Sequence, residues 1–477
     1  MATLATHSTP TAAGPRLGPA WWMVAVLFTI YLFSWIDRLV VSMLVEPVKH
    51  GLHLSDFQMS LILGPSFAFV YAIFGIPLGW AADHYQRRIV IFFAALVWTA
   101  ATIACGFSRS FEALLVARMF VGVGEAALLP AAYSLIADAF PRDKLTTATS
   151  TFQMAGKGGS AAAFGLGGIA IAWATTLGRV NVPIHGPAEP WQLVMMLVGL
   201  PGFLLAFLVF TFPEPPRREP AGSQAAADHG NVLHFMRRHW QLVELMMLLF
   251  SAMALAGYSM TAWVPTYIGR HFGWSPAVYG PALSVMNLIG AASLVLNGWI
   301  VDRLYRRGMK DVHLRFYSWL ILGVSPALVA MFFVSNPSLF LVCYAVAQFI
   351  TVPFIVYLSS VLALLAPNSV RAQAIAIFMF VFNIIGNGGG PALVGFLTDF
   401  VFHDEKKVGY SLAVVVIGSA AAALACCRAA LRYLGPAVRS LLSQAGAGTL
   451  LKNPQVQEAG RRLEEQAKDK LRRLFGR

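Results

Sequence analysis

The chain has 477 residues, of which 57% are hydrophobic and only 12% charged, and its formal net charge is +13. A soluble domain carries roughly a quarter charged residues, so a soluble globular class is excluded. The basic balance also loses its nucleic-acid reading once its placement along the chain is followed.

Residues 1–20 hold several Pro and Gly and one Arg and read as an N-terminal tail. The apolar run after them is too long for a signal-peptide core and lacks a small-residue cleavage site. Runs of the length needed to cross a bilayer, about 20 residues, begin near residues 21, 58, 89, 112, 146, 191, 240, 277, 314, 338, 371 and 408. Twelve spans predict an all-α polytopic membrane protein.

Span 1 contains "YLFSWIDRLVVSML" (31–44), which sets Asp37 against Arg38 at membrane depth. A charge there costs about 3 kcal/mol or more, so the pair needs a reason. Adjacent helical residues diverge by about 100°, so only one of the two faces a central path squarely while the other turns to a neighbouring helix. Span 2 opens on "LSDFQMSLI" and closes on "GWAADHYQRR" (79–88). Span 4 carries Arg118 and Glu125, seven residues and so about 10 Å apart on one helix face. The expected pairs are Asp37 with Arg118 and Arg38 with Glu125, or the crossed arrangement. Protonating Asp37 or Glu125 breaks such a pair and frees an arginine, which cannot itself lose its proton, for an anionic substrate. Span 5 adds Lys157 within "FQMAGKGGSAAAFGLGG" (152–168), too deep to reach an interface. It is expected either to pair with Glu125 or to present positive charge to a substrate. These five charges sum to +1 with both acids ionised and +3 with both protonated, which points to an anionic substrate.

Residues 214–239, rich in Pro, Gly, Ala and charge, read as a linker that splits the spans six and six. The predicted units are a tail at 1–20, bundles at 21–213 and 240–435, the linker between them, and a basic tail at 436–477. "GWIVDRLYRR" (298–307) closes span 8 at a constant offset of 219 from its counterpart in span 2, a strong sign of duplication. Gly79, Asp83, Arg87 and Arg88 thus match Gly298, Asp302, Arg306 and Arg307. The glycines permit close helix approach, and the Asp and Arg side chains are placed for charge-assisted contacts across a gate. The same offset takes Asp37, Arg38, Glu125 and Lys157 to Ala256, Gly257, Tyr344 and Ala376, so the second half supplies no deep charge. Its candidate substrate ligands are neutral: Tyr258, Asn287, Gln348, Tyr357 and Asn383, with Asn297 and Asn387 beside them. Asn383 stands out because it precedes the "GNGGGP" break, where irregular backbone can line a cavity.

One alternating set of connections carries Arg87, Arg88, Arg142, Lys144, Arg217, Arg218, Arg237, Arg238, Arg303, Arg306, Arg307, Lys310, Arg315 and Arg371. The other carries Lys49, Arg109, Arg179, Arg270, Lys406 and Lys407. The positive-inside rule puts the first set and both termini in the cytoplasm, with a grip on anionic lipid headgroups. The end of the chain, 450–477, reads as an amphipathic basic helix on the membrane or as a solvated tail.

Two bundles around a central path suit alternating access. The chain resembles the major facilitator superfamily, and within it the spinster-like group. The wording that carries this is "WIDR", "LSDFQMSLI", "GWAADHYQRR", "ARMFVGVGEAALLPAAYSLIADAFP", "GLPGFLLAFLVFTFPEPPR" and "FNIIGNGGGPALVGFLTD", the Arg-x-x-x-Gly-x-Gly-Glu-Ala string being the most specific. The resemblance implies a twelve-helix carrier, proton-coupled or facilitative, for a small organic anion or a lipid-like amphiphile of lysolipid or sphingolipid type. It also implies that Asp37 and Glu125 are proton sites. Lys157 is not expected from it. Other expectations are a monomer in the plasma membrane (the inner membrane of a Gram-negative cell), with protons and lipids as partners and no cofactor. An intramembrane enzyme is disfavoured: the histidines fall in or beside loops, and no G-x-S-x-G or H-E-x-x-H string occurs. The four cysteines lack metal or disulfide spacing. A channel is disfavoured because one chain holds a pseudo-symmetric pair rather than a ring of subunits.

Overall fold

The structure, a computed structural model, describes residues 17–183, 185–217, 232–309, 311–365 and 368–451. Among them, eleven helical segments are long and apolar enough to cross a membrane. Span 1 is α1 (Leu17–Met43), followed by a short α2 (Val45–Leu52). Span 2 is two helices, α3 (Asp56–Leu63) and α4 (Pro65–His84), parted at Gly64 because Pro65 has no N–H to continue the ladder. Ser55 starts α3 with a capping box: its hydroxyl accepts from the Gln58 N–H at 3.2 Å, and Gln58 Oε1 accepts from the Ser55 N–H at 3.0 Å. Span 3 is α5 (Arg87–Phe107). Span 4 is α6 (Phe111–Glu125) and α7 (Leu128–Ala139), broken directly after Glu125. Span 5 is α8 (Arg142–Leu177). An antiparallel hairpin, β1 (Val180–Val182) with β2 (Gly186–Ala188), leads into span 6, α9 (Pro190–Phe207).

The second half begins with α10 (Val232–Arg238), a helix inside the stretch expected to be a linker, and α11 (Trp240–Phe272), which is span 7. Spans 8 and 9 are α12 (Pro276–Arg306) and α13 (Val312–Ala330). The twelfth crossing, span 10, is not one long helix: α14 (Pro337–Thr351) and α15 (Phe354–Leu365) meet at Pro353. Span 11 runs as α16 (Asn368–Phe382), a π-helical stretch Asn383–Gly389, α17 (Gly390–Phe396) and a second π-helical stretch Leu397–Val401. Span 12 is α18 (Val408–Leu451). The chain end expected to form an amphipathic helix lies, from residue 452, outside the described residues.

Outward-facing apolar side chains such as Ile76, Leu204 and Val295 are about three-quarters exposed, as on a lipid-facing surface. The two six-helix bundles meet most closely where α8 crosses α12. A Cβ built on Gly168 would lie 2.4 Å from the Pro276 carbonyl oxygen, and one on Gly280 would lie 2.5 Å from that of Phe164. Only glycine permits this crossing. Gly168→Val is expected to cost about 1–3 kcal/mol through overpacking, read as a lower melting temperature in detergent. At the opposite, arginine-rich ends the bundles stand apart. A Cβ on Gly79 would meet only Pro130, at 3.8 Å, and one on Gly298 would meet nothing within 4 Å. The close approach expected at this repeated motif is therefore not made in this conformation.

Candidate functional site

A cavity of about 130 Å³ lies between the bundles. From the first half it is lined by Trp35, Arg38, Leu39 and Ser42 of α1, Leu63 of α3, and Lys157 and Ser160 of α8. From the second half come Gly257, Tyr258 and Thr261 of α11, Asn287 of α12, Gln348 and Thr351 of α14, Phe354 of α15, and Asn387 and Pro391 of the span-11 break.

Of the expected pairs, the Arg38–Glu125 ion pair is formed, with Glu125 almost wholly buried. The Arg38 guanidinium also sits over three rings: Phe67 at 4.1 Å, Trp35 at 4.9 Å and Tyr71 at 5.6 Å. Cation–π attraction gives it a second set of partners that does not depend on the acid. The 100° divergence decides the rest. With Arg38 at the cavity, Asp37 turns into its own bundle, 2% exposed, where Thr102 Oγ1 donates to its Oδ2 at 3.4 Å. Arg118, fully buried, reaches only the Asp37 backbone carbonyl, at 3.5 Å. Asp37 Oδ1, Arg118 Nε and Nη2, and Glu125 Oε1 have no hydrogen-bond partner among the described residues. The Asp37–Arg118 pair thus exists as a neighbourhood and not as a carboxylate–guanidinium bond.

Lys157 lines the cavity and makes no ion pair among the described residues, so the Glu125 partnership is not formed. Arg38 is matched by Glu125, which leaves Lys157 as the unmatched cation of the cavity wall. In the second half, Tyr258, Asn287 and Gln348 are at the cavity as expected. Tyr357 is not. Its hydroxyl donates to Asn297 Oδ1 at 2.9 Å and its ring stacks on Tyr317, 4.5 Å between centroids, a satisfied network inside the bundle. Asn383 accepts from Asn387 Nδ2 at 3.2 Å, and it is Asn387 that reaches the cavity. The break is π-helical, so the residue presented is one turn later than linear reading suggested. Trp35, Ser42, Ser160, Thr261 and Thr351 were not singled out, since apolar and hydroxyl residues are common throughout membrane helices. Their position one or two turns from Arg38, Lys157, Tyr258 and Gln348 was the available signal.

At the arginine-rich face the repeated motif folds back within its own half. Arg87, 1% exposed at its side chain, pairs with Asp138 and with Glu214 at 3.1 Å, and donates to Ser134 and the Pro215 carbonyl. Arg88 donates to the Phe212 carbonyl at 2.8 Å. Asp83 and Asp302 make no ion pair among the described residues; Arg306 Nε reaches the Asp302 carbonyl at 3.4 Å, and the Arg303 guanidinium sits over Trp299. Burial acts to raise the Glu214 carboxyl. The Arg87 N–H and guanidinium, with the Arg88 N–H, outweigh it and hold Glu214 below the usual range. A depressed folded value gives stability that is full above the ordinary glutamate value of about 4.3 and lost as the pH falls from there through the lower folded value. Melting temperature is expected to drop on acidification through that window, and to drop less in Glu214→Gln.

The opposite face carries the inter-bundle charges, which linear reading counted only as loop residues. Arg270 of α11 binds Asp56 through both terminal nitrogens, at 2.6 and 2.7 Å, and Glu46 at 2.7 Å. Lys49 contacts Asp56 at 3.0 Å and pairs with Glu405. The Phe57 N–H donates to Asp399 at 2.6 Å. Burial acts to lower the Lys49 ammonium, but Glu405 and Asp56 outweigh it and hold Lys49 above its ordinary value. Asp56 is fully buried within this network. Charges from both bundles thus tie the two halves together at this face.

Four matches to known proteins bear on this arrangement. The chain is 28% identical over 413 residues to an MFS-type efflux pump of Mycolicibacterium smegmatis, covering 84% of this chain and 90% of the relative. It is 23% identical over 422 residues to a D-galactonate transporter of Escherichia coli, covering 83% and 93%. The solved structure of a bacterial homolog to the human lysosomal transporter Spinster, inward-facing and unoccupied, superposes with a TM-score of 0.74 at 23% identity, covering 89% of this chain and 98% of that one. The model of the Major Facilitator Superfamily matches residues 27–314. With twelve crossings in two bundles about one cavity, the chain belongs to the Major Facilitator Superfamily and is a membrane transporter rather than an enzyme.

Proposed function

We propose that the chain is a proton-coupled secondary transporter of a small organic anion, working by alternating access as a monomer. The observation that carries the reading is Lys157, an unmatched cation on the wall of a cavity otherwise lined by the Glu125-paired Arg38 and by hydrogen-bonding and apolar groups. The cavity is comparable in size to one of ~150 Å³ that holds a benzene ring. This favours a compact polar anion over a long acyl chain, although the lipid-like amphiphile shares the need for a cation. The D-galactonate transporter, named for an acid sugar, supports the same class. With the arginine-rich face in the cytoplasm of the plasma membrane, as the positive-inside rule requires, the conformation is inward-facing, its outer side held shut by Arg270 and Lys49. Asp37 and Glu125 are the proton-binding groups. Asp83, Asp302 and the paired arginines become inter-bundle contacts only when the inner face closes.

The test is flux into proteoliposomes holding the purified chain. Saturable counterflow of an organic anion, with accumulation driven by an inward proton gradient and lost with a protonophore, is the expected result. Saturable uptake indifferent to pH would make it a facilitative carrier. Unsaturable flux would make it a pore.

A further inference from the structure

We propose that Lys157 selects a substrate with two anionic groups, a short dicarboxylate, whose second group is admitted only when Glu125 takes up a proton and releases Arg38. The inference rests on the organic-anion reading above and specifies its substrate class.

The cavity wall offers two cations in different states. Lys157 has no ion pair among the described residues, while Arg38 is bound by Glu125. Both line the same cavity, as does Trp35. Gly156, adjacent to Lys157, approaches so near that an added Cβ would lie 3.1 Å from Trp35 Nε1, and the Arg38 guanidinium lies 4.9 Å from the same indole. Small residues on both sides of Lys157 let α8 press against α1, which brings the lysine to the same pocket as an arginine one turn beyond that indole. The far wall is neutral and hydrogen-bonding, through Tyr258, Thr261, Asn287 and Gln348, which suits hydroxyl groups between two carboxylates.

Charge balance in the buried site then distinguishes substrates, because an uncompensated buried charge is costly. With Glu125 ionised, Arg38, Glu125 and Lys157 carry a single excess positive charge, and a monoanion on Lys157 neutralises it with no proton bound. A dianion reaches neutrality only if one proton joins the site, and Glu125, the acid paired with a cation of the cavity wall, is the carboxylate whose protonation frees that cation. The Arg38–Glu125 pair opens, the proton occupies a Glu125 oxygen, and Arg38 takes the second carboxylate. Meanwhile the rings of Phe67, Trp35 and Tyr71 keep the guanidinium in place. The groups around Glu125 are Tyr31, Asp37 and Arg38 from α1, Tyr71 from α4, and Arg118 on its own helix, with Cys105 of α5 against Arg118. Of these only Arg38 forms an ion pair with it.

The experiment is calorimetric binding to the full-length chain in detergent, using two matched pairs of probes: D-glucarate against D-gluconate, and adipate against hexanoate. The expected result is a diacid that binds at least about tenfold tighter than its monoacid partner, or about 1.4 kcal/mol, and tightens as the pH falls with uptake of one proton. Lys157→Gln is expected to erase that ratio, and Lys157→Arg to keep it. Glu125→Gln is expected to make diacid binding independent of pH. Monoacids binding as tightly as diacids, or a ratio unmoved in Lys157→Gln, overturns the proposal while leaving the organic-anion reading intact. None of the four acids binding to a protein that melts cooperatively overturns both.

Discussion

Asp37→Asn is expected to abolish proton-driven accumulation of a monoanion, whose binding takes no proton at Glu125, while leaving its counterflow at equal pH on the two sides intact. The reason is geometric. Of the two deep acids, Glu125 is held by Arg38, whereas Asp37 has one weak contact to Thr102 and one oxygen with no partner. A proton placed on Asp37 breaks no ion pair, and none has to reform when it leaves. Asparagine keeps the shape and the Thr102 contact but cannot carry a transported proton. Because Asp37 points away from the cavity, substrate exchange should continue near its normal rate. Normal pH-driven accumulation in Asp37→Asn would move the coupling site to Glu125. Loss of counterflow as well would make Asp37 a packing residue.

Arg270→Ala is expected to release the face opposite the arginine-rich one. The guanidinium is mostly buried and grips a carboxylate, Asp56, that is wholly buried. Removing one partner of such a pair costs about 3–5 kcal/mol, because the other charge stays buried and uncompensated. Lys49, 3.0 Å from Asp56, offsets part of that. The loss falls on the state in which this face is closed, so the balance of conformations should shift by a factor of ten for each ~1.4 kcal/mol lost. Thiol labelling of a cysteine placed at Ser42, on the cavity wall, by a membrane-impermeant reagent added from the outer side should rise sharply. Labelling equal to that of the parent chain would show that the helix crossing at Gly168 and Gly280 alone holds the face shut.

The fold was largely legible because twelve apolar runs dominate the composition, and the helices begin within a few residues of where those runs begin. The interruptions of spans 2 and 10 at Gly64–Pro65 and Pro353 were written in proline and glycine but were masked by continuous hydrophobicity. The site was legible where charge is expensive: Arg38 with Glu125 could be paired on paper because few other partners exist at that depth. It was illegible where residues are cheap to place. Tyr357 and Asn297 look like ligands in a sequence and prove to satisfy each other, and Asn383 yields its place to Asn387 because the turn between them is π-helical. The Arg270–Asp56–Lys49–Glu405 network joins residues more than two hundred positions apart, which only the packing of the two bundles brings together.

The uneven division of charge between the bundles has an electrical consequence. Every fully buried charged side chain among the described residues (Asp37, Asp56, Arg87, Arg118 and Glu125) belongs to the first half. Displacing one elementary charge through a 100 mV potential is worth about 2.3 kcal/mol, so a membrane voltage pulls on this half and scarcely on the other. If the neutral half is the one that swings, the empty carrier returns without a capacitive current. The net charge carried per cycle is then that of substrate plus proton, −1 for a dianion crossing with one proton.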